Sequence, residues 1–145
     1  MKILIFGLPG SGKTTLAAPF AKLIDAVHIN ADEVRTHYDD WDFSLEGRMR
    51  QANRMRHLSD GVVRAGKTAV ADFVCPTEEA RVAFDPDFTI WMDTIKEGRF
   101  ADTNAMFVSP INADYHVSEW FTDTHAQLVE VIRAFQLKQS KKHNE

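Results

Sequence analysis

One cysteine, Cys75, is all the chain offers for covalent cross-linking, which excludes an internal disulfide framework and suits a reducing compartment. No apolar run approaches the length of a membrane span. The largely apolar Met1–Phe6 runs straight into a glycine-rich turn. It lacks the longer apolar stretch and small-residue cleavage site of a secretory signal, so a cytoplasmic location and no membrane partner are expected. Excess positive charge is also missing. The formal net charge is -4, so there is no global basic field and a nucleic-acid partner is not expected; a local basic face stays open. The six histidines include no close pair at H-x-x-x-H spacing, so no structural zinc is expected. Repeats, linkers and low-complexity blocks are absent as well.

What remains is a globular balance, with 44% hydrophobic and 26% charged residues in 145, enough for one domain with one core over residues 1–145. Ile3–Phe6 is a continuous apolar run before a glycine, as a buried parallel strand requires. A helix is predicted from Lys13 to about Ile24, kinked at Pro19, followed by a strand at Val27–Asn30 and a helical turn from Asp32. Ser44 is placed to cap a helix to about Ala65, with Leu45, Met49, Ala52, Met55, Leu58 and Val62 on one stripe and Gly66 as its stop. Strands are predicted at Thr68–Phe73, Phe88–Met92 and Tyr115–Ser118, and a short helix at Thr77–Phe84. Residues 94–110 read as a loop or lid. A last helix carries Leu128, Val131, Ile132 and Phe135, capped by Thr122 or Asp123, and residues 138–145 read as a frayed tail. Strands alternating with helices predict an α/β three-layer sandwich around a mostly parallel five-stranded sheet.

The pattern G-x-x-x-x-G-K-[ST] occurs twice, at Gly7–Thr14 and at Gly61–Thr68. A phosphate loop must leave a buried strand and enter a helix N-terminus, where free N–H groups and the helix dipole face the phosphates. The first copy has that order. The second runs helix, turn, strand, and reads as a helix stop followed by a strand start. In the first copy Leu8, Pro9, Gly10, Ser11, Gly12, Lys13, Thr14 and Thr15 form the nucleotide-binding set. Its glycines permit close approach to phosphate, Lys13 places a charge on the β- and γ-phosphates, and Thr14 offers a hydroxyl to Mg2+. ATP and Mg2+ are therefore the expected cofactors, in a P-loop NTPase fold. The chain is short for a motor and lacks the Asn-Lys-x-Asp sequence of GTPase switches, which favours a small-molecule kinase.

Beyond the loop, the chain resembles the adenylylsulfate kinase family, which phosphorylates the ribose 3'-hydroxyl of adenosine 5'-phosphosulfate. The family's Asp-Gly-Asp-Asn-Val-Arg is matched by Asn30-Ala31-Asp32-Glu33-Val34-Arg35, and its Phe-Ser segment with a following Arg by Phe43-Ser44 and Arg48. Its Ile-Ser-Pro with a later Arg is matched by Val74-Cys75-Pro76 and Arg81, and its Val-Asp-Thr by Met92-Asp93-Thr94. Its Phe-Thr-Gly-Ile and Tyr-Glu-x-Pro are matched by Phe100-Ala101-Asp102-Thr103 and Phe107-Val108-Ser109-Pro110. The chain departs from the family at Asn30, at Gln51 and at Asp72, and its lid is cut to Ile95–Arg99.

The resemblance implies an acceptor site built from Asp32, Arg35, Phe43, Arg48, Gln51, Val74, Cys75 and Phe100. Asp32 is the candidate base, catalytic together with Lys13, its alternative being a helix N-terminal carboxylate. Asp72 ends the third strand and is a candidate metal residue with Thr14, through water, or polarises the acceptor alongside Asp32, or else bonds neighbouring backbone. Arg35 and Arg48 suit oxyanions; Arg50, Arg54, Arg56 and Arg64 share the helix of Arg48 and read as a solvated basic face. Phe43 and Phe100 are placed to clamp a purine, or to pack in the core. Trp41, Trp91 and Trp120 read as packing residues. The partner implied is a small-molecule nucleotide, and similar kinases are often homodimers. Two other readings stay open: a P-loop kinase for another nucleoside, nucleotide or polynucleotide hydroxyl, and a nucleotide-binding module without turnover.

Overall fold

In the computed structural model, which describes residues 1–120 and 122–143, the first apolar run forms β1 (Lys2–Gly7), buried on both faces. Such double burial is what a continuous apolar strand needs in place of alternation. Parallel strands join in the order β2 (Val27–Asn30), β3 (Ala69–Asp72), β1, β4 (Phe88–Met92), β5 (Tyr115–Val117). All four pairings are parallel, with Ile5 opposite Asp72 and Asn30 opposite Asp72 in register. The sheet is therefore wholly parallel.

Alternate residues of β1 feed two cores. Ile3 and Ile5 pack with Leu16 and Phe20 of α1 (Lys13–Leu23) and with Leu128 and Ile132 of α6 (Thr124–His143). Leu4 and Phe6 face Ala52 and Met55 of α3 (Leu45–Arg64) and Phe84 of α4 (Glu78–Phe84). Helices cover both faces, as the strand–helix alternation predicts. β1 and β3 both end in turns at the same edge, so the loops at the carboxyl ends of the strands surround one crevice.

Four local features differ from the sequence reading. Asn30 caps α2 (Ala31–Tyr38), accepting from the Glu33 N–H at 3.1 Å, so the helix starts one residue before Asp32. The segment 94–110 contains a short helix, α5 (Ala101–Met106). α6 continues to His143 where a frayed tail is predicted, Asn144 and Glu145 lying outside the described residues. Gln136, Leu137, Lys138, Gln139, Lys141 and Lys142 are good helix formers, and the cations favour a helix C-terminus. α1 runs unbroken through Pro19; the missing N–H leaves the carbonyl of the exposed Thr15 without its helical donor.

Ser44 caps α3 as predicted, its hydroxyl accepting from the Gly47 N–H at 3.1 Å. The second pattern match lies across the end of α3: Gly61 is helical, Gly66 has a φ of +86°, and Lys67 pairs with Asp25 at 2.9 Å. It is a helix stop before β3. No described helix is long and apolar enough to cross a membrane.

Candidate active site

The glycine turn after β1 has no side chains where space is shortest. A Cβ on Gly7 would lie 2.4 Å from the Met92 carbonyl oxygen, and one on Gly12, at φ +95°, 2.3 Å from the Trp120 indole. Gly12 caps α1 with no side-chain acceptor. The first-turn N–H groups of that helix thus stay available to an anion. Lys13 Nζ folds back to donate to the Leu8 carbonyl at 3.0 Å. Burial pulls its pKa from 10.5 to about 8, against the raising effect of Asp72 and Asp32; Arg48 lowers it further. The buried Ser11 hydroxyl has no hydrogen-bond partner among the described residues, while its carbonyl accepts from the Thr94 hydroxyl at 2.7 Å.

Beside the loop opens a cavity of about 500 Å³. It is lined by Gly10, Gly12, Lys13, Thr14 and Thr15 of the loop and first turn, by Asn30, Asp32 and Asp72, and by Phe43, Arg48, Val74 and Phe100. Phe43 and Phe100 are 44% and 50% exposed, so neither is a core residue. Of the predicted nucleotide-binding set Leu8 and Ser11 do not line the cavity, and of the predicted acceptor set Arg35, Gln51 and Cys75 do not. Arg35 is buried beneath it, donating to the Asp40 and Asp42 carbonyls at 3.0 and 3.2 Å, with its guanidinium 4.4 Å from the Phe43 ring centre. Gln51 donates to the Ala31 carbonyl at 3.1 Å. The Cys75 carbonyl accepts from Arg81 at 3.0 Å, and burial pushes its thiol far above the usual range. These three brace the start of α2, which carries Asp32, and the loops that carry Phe43 and Val74.

Arg48 does reach the cavity. It donates to the Phe43 carbonyl at 3.1 Å and the Thr103 hydroxyl at 2.7 Å, joining α3 to α5. On the predicted basic face Arg50, Arg56 and Arg64 are exposed as expected; Arg50 also pairs with Asp40 and Asp42, and the half-buried Arg54 with Asp40. The lid segment is anchored too. Gly98 and Asn104 exchange two hydrogen bonds of 2.8 and 2.9 Å, and the Val108 N–H bonds the Pro76 carbonyl at 2.8 Å.

Asp72, 2% exposed, gathers three side chains around its carboxylate. Its Oδ1 accepts from the Thr14 hydroxyl at 3.1 Å, Asn30 Nδ2 lies 3.4 Å from both oxygens, and His28 Nε2 meets Oδ2. Asn30 also donates to the Thr14 hydroxyl at 3.1 Å. The hard oxygens of Thr14 and Asp72, against a phosphate cradle, fit Mg2+, which takes one or two protein oxygens along with phosphates and waters. Sequence reasoning missed Arg99, Asp102 and Thr103 on the cavity wall, and Asn30 as a working residue. The Asn-x-x-Glu spacing at Asn30 and Glu33 is a legible cap signal; nothing in sequence marks the others. The tryptophans divide: Trp91 stacks on His116 with ring centres 4.4 Å apart, while Trp41, beside Phe43, and Trp120, against Gly12, are 49% and 41% exposed.

A family model described as AAA domain matches residues 3–89. No curated protein sequence matches the chain significantly. Among solved structures, the Mycobacterium tuberculosis APS kinase CysC in complex with AMPPNP and APS is similar, with a TM-score of 0.78 at 16% identity over 91% of this chain and 96% of that one. A sugar kinase from Janibacter sp. HTCC2649 has a TM-score of 0.64 at 18% identity, covering 93% and 92%. Shikimate kinase from Aquifex aeolicus has 0.63 at 15%, covering 97% and 98%. The shared feature is the P-loop kinase fold.

Proposed function

The chain belongs to the AAA domain family, and from that premise we propose that it is an ATP-dependent kinase acting on the 3'-hydroxyl of adenylyl sulfate to give 3'-phosphoadenylyl sulfate. One observation carries this reading. One cavity is lined by Lys13 of the phosphate loop, by Asp32 and by the exposed Phe43 and Phe100. Stacking between those rings favours a flat base without reading its edges.

The loop N–H groups and Lys13 hold the donor phosphates, and in that state Lys13 leaves the Leu8 carbonyl for the phosphate oxygens. Asp32 orients the acceptor hydroxyl and takes its proton as the oxygen attacks the γ-phosphorus. The O–P bond to ADP breaks, ADP leaves, and Asp32 returns its proton to solvent. Thr14 and Asp72 are the residues that would hold Mg2+, which when bound neutralises charge on the phosphates. Arg48 fixes Phe43 against α5 and so sets the width of the clamp.

A coupled ADP-release assay over a panel of acceptors tests the proposal: adenylyl sulfate, AMP, nucleosides, a polynucleotide end, shikimate and gluconate. Strong stimulation by adenylyl sulfate alone supports it. No stimulation by adenylyl sulfate overturns it. A second reading, a kinase for a less anionic hydroxyl acceptor, is favoured by Asp102 beside Asp32 and Asp72 in the same cavity. Stimulation by a neutral acceptor in that panel would select it. Binding of ATP with transfer to no acceptor would instead indicate a nucleotide-binding module.

A further inference from the structure

His28 lies outside every residue set described so far except as a neighbour of Asp72. It stands on β2 two residues before Asn30, and strand alternation sends both side chains to one face. The parallel register places Asn30 opposite Asp72, so His28 reaches the carboxylate diagonally across the β2–β3 ladder. The two side chains are 21% and 3% exposed. A carboxylate only accepts hydrogen bonds, so Nε2 is the protonated nitrogen in this contact.

The contact solves a local problem. A nearly buried carboxylate needs hydrogen bonds to both oxygens. Oδ1 has the Thr14 hydroxyl at 3.1 Å, but Oδ2 would keep only the long 3.4 Å approach of Asn30 if the imidazole were removed. The group would then be free to turn about its χ2 axis, out of the plane that aims one oxygen at Thr14. We propose that His28 is a positioning residue of the metal site: it holds Oδ2 of Asp72, so that Oδ1 is the oxygen presented to Thr14 and to a divalent cation on the phosphate loop. His28 touches neither nucleotide nor metal; it acts through Asp72. The idea rests on the kinase reading only in requiring a metal–nucleotide complex at the loop, and it is independent of the acceptor. Partners that orient metal-site ligands typically change metal affinity by about 10–100-fold when removed.

The test is a Mn2+ titration followed by electron paramagnetic resonance, on the whole chain saturated with AMPPNP. His28→Leu is expected to weaken Mn2+ binding about tenfold. Binding of AMPPNP without metal should stay within about twofold of wild type, a split that general loosening of the sheet would not produce. His28→Gln places an amide donor near Nε2 and is expected to restore most of the affinity. In an Asp72→Asn background the His28→Leu effect should vanish, because the residue it acts through is gone. Equal Mn2+ affinity in wild type and His28→Leu would overturn the proposal. So would His28→Gln as weak as His28→Leu, or an undiminished effect beside Asp72→Asn. If His28→Leu does not fold, His28→Ala, measured alone and beside Asp72→Asn, takes its place with the same expected and overturning results. A wild type that binds no Mn2+ overturns it together with the metal assignment, whereas failure of adenylyl sulfate as acceptor leaves the titration unaffected.

Discussion

Lys13 carries the sharpest prediction, because one number has two consequences of opposite sign. Its pKa falls from 10.5 to about 8, chiefly through burial. Below pH 8 both folded and unfolded chains hold the proton, and the folded state carries the cost of a desolvated charge. Between pH 8 and 10.5 the unfolded chain keeps a proton that the folded chain has lost, so stability rises with pH across that window. The full difference from 10.5 to about 8 is worth about 3 kcal/mol. Urea unfolding of wild type and Lys13→Met at pH 7 to 10 isolates the term, since every other titrating group is common to both. The wild type is expected to gain on the variant by roughly 2 kcal/mol by pH 10, most of the full linkage. Nucleotide affinity runs the other way. Phosphates require the charged lysine, so binding above pH 8 takes up a proton and weakens up to tenfold per pH unit. Calorimetry of AMPPNP binding in buffers of different ionisation enthalpy reads that uptake directly. Parallel stability curves for the two proteins, or an affinity unchanged up to pH 9.5, would refute the reasoning.

Asp32→Asn should lower kcat by about 10²–10⁴ while leaving AMPPNP affinity nearly unchanged, measured by single-turnover transfer and calorimetry. Gly12→Ala should lose nucleotide binding and at least about 1 kcal/mol of stability, because its φ is +95° and its Cβ meets Trp120 at 2.3 Å. Trimming Trp120 as well should restore little, since the backbone strain remains. The Asp42 carboxyl is held down to about 2 by hydrogen bonds from Ser44 and Arg50. A lowered folded pKa stabilises above the unfolded value of 3.8 and is lost as pH falls toward 2, so Asp42→Asn should flatten the acid limb of an unfolding curve.

The fold was legible because its signals are local and redundant. A doubly buried β1, a glycine turn and a helix start follow one another without a break, and the Gly61–Thr68 pattern fails on that same order. The site was legible where function needs a residue type at a fixed offset from the loop, as at Lys13 and Thr14. It was less so where one residue type serves two roles. Arg35 and Arg48 both suit an oxyanion on paper. Only packing shows that Arg35 spends its donors on the Asp40 and Asp42 carbonyls while Arg48 borders the cavity. Gln51 and Cys75 likewise stand beside the site as braces. The His28–Asp72 contact joins residues 44 apart in the chain. Strand order, which periodicity does not encode, is what brings them together.

The placement of the three indoles makes the protein its own instrument. Trp120 rests on Gly12, Trp41 stands 6.4 Å from the Phe43 ring centre, and Trp91 is stacked on His116 in the sheet. Donor arrival, acceptor arrival and global unfolding therefore each have a separate chromophore. Three single-tryptophan variants in a stopped-flow fluorimeter would resolve the order of loading from emission transients alone, with no label attached to the chain.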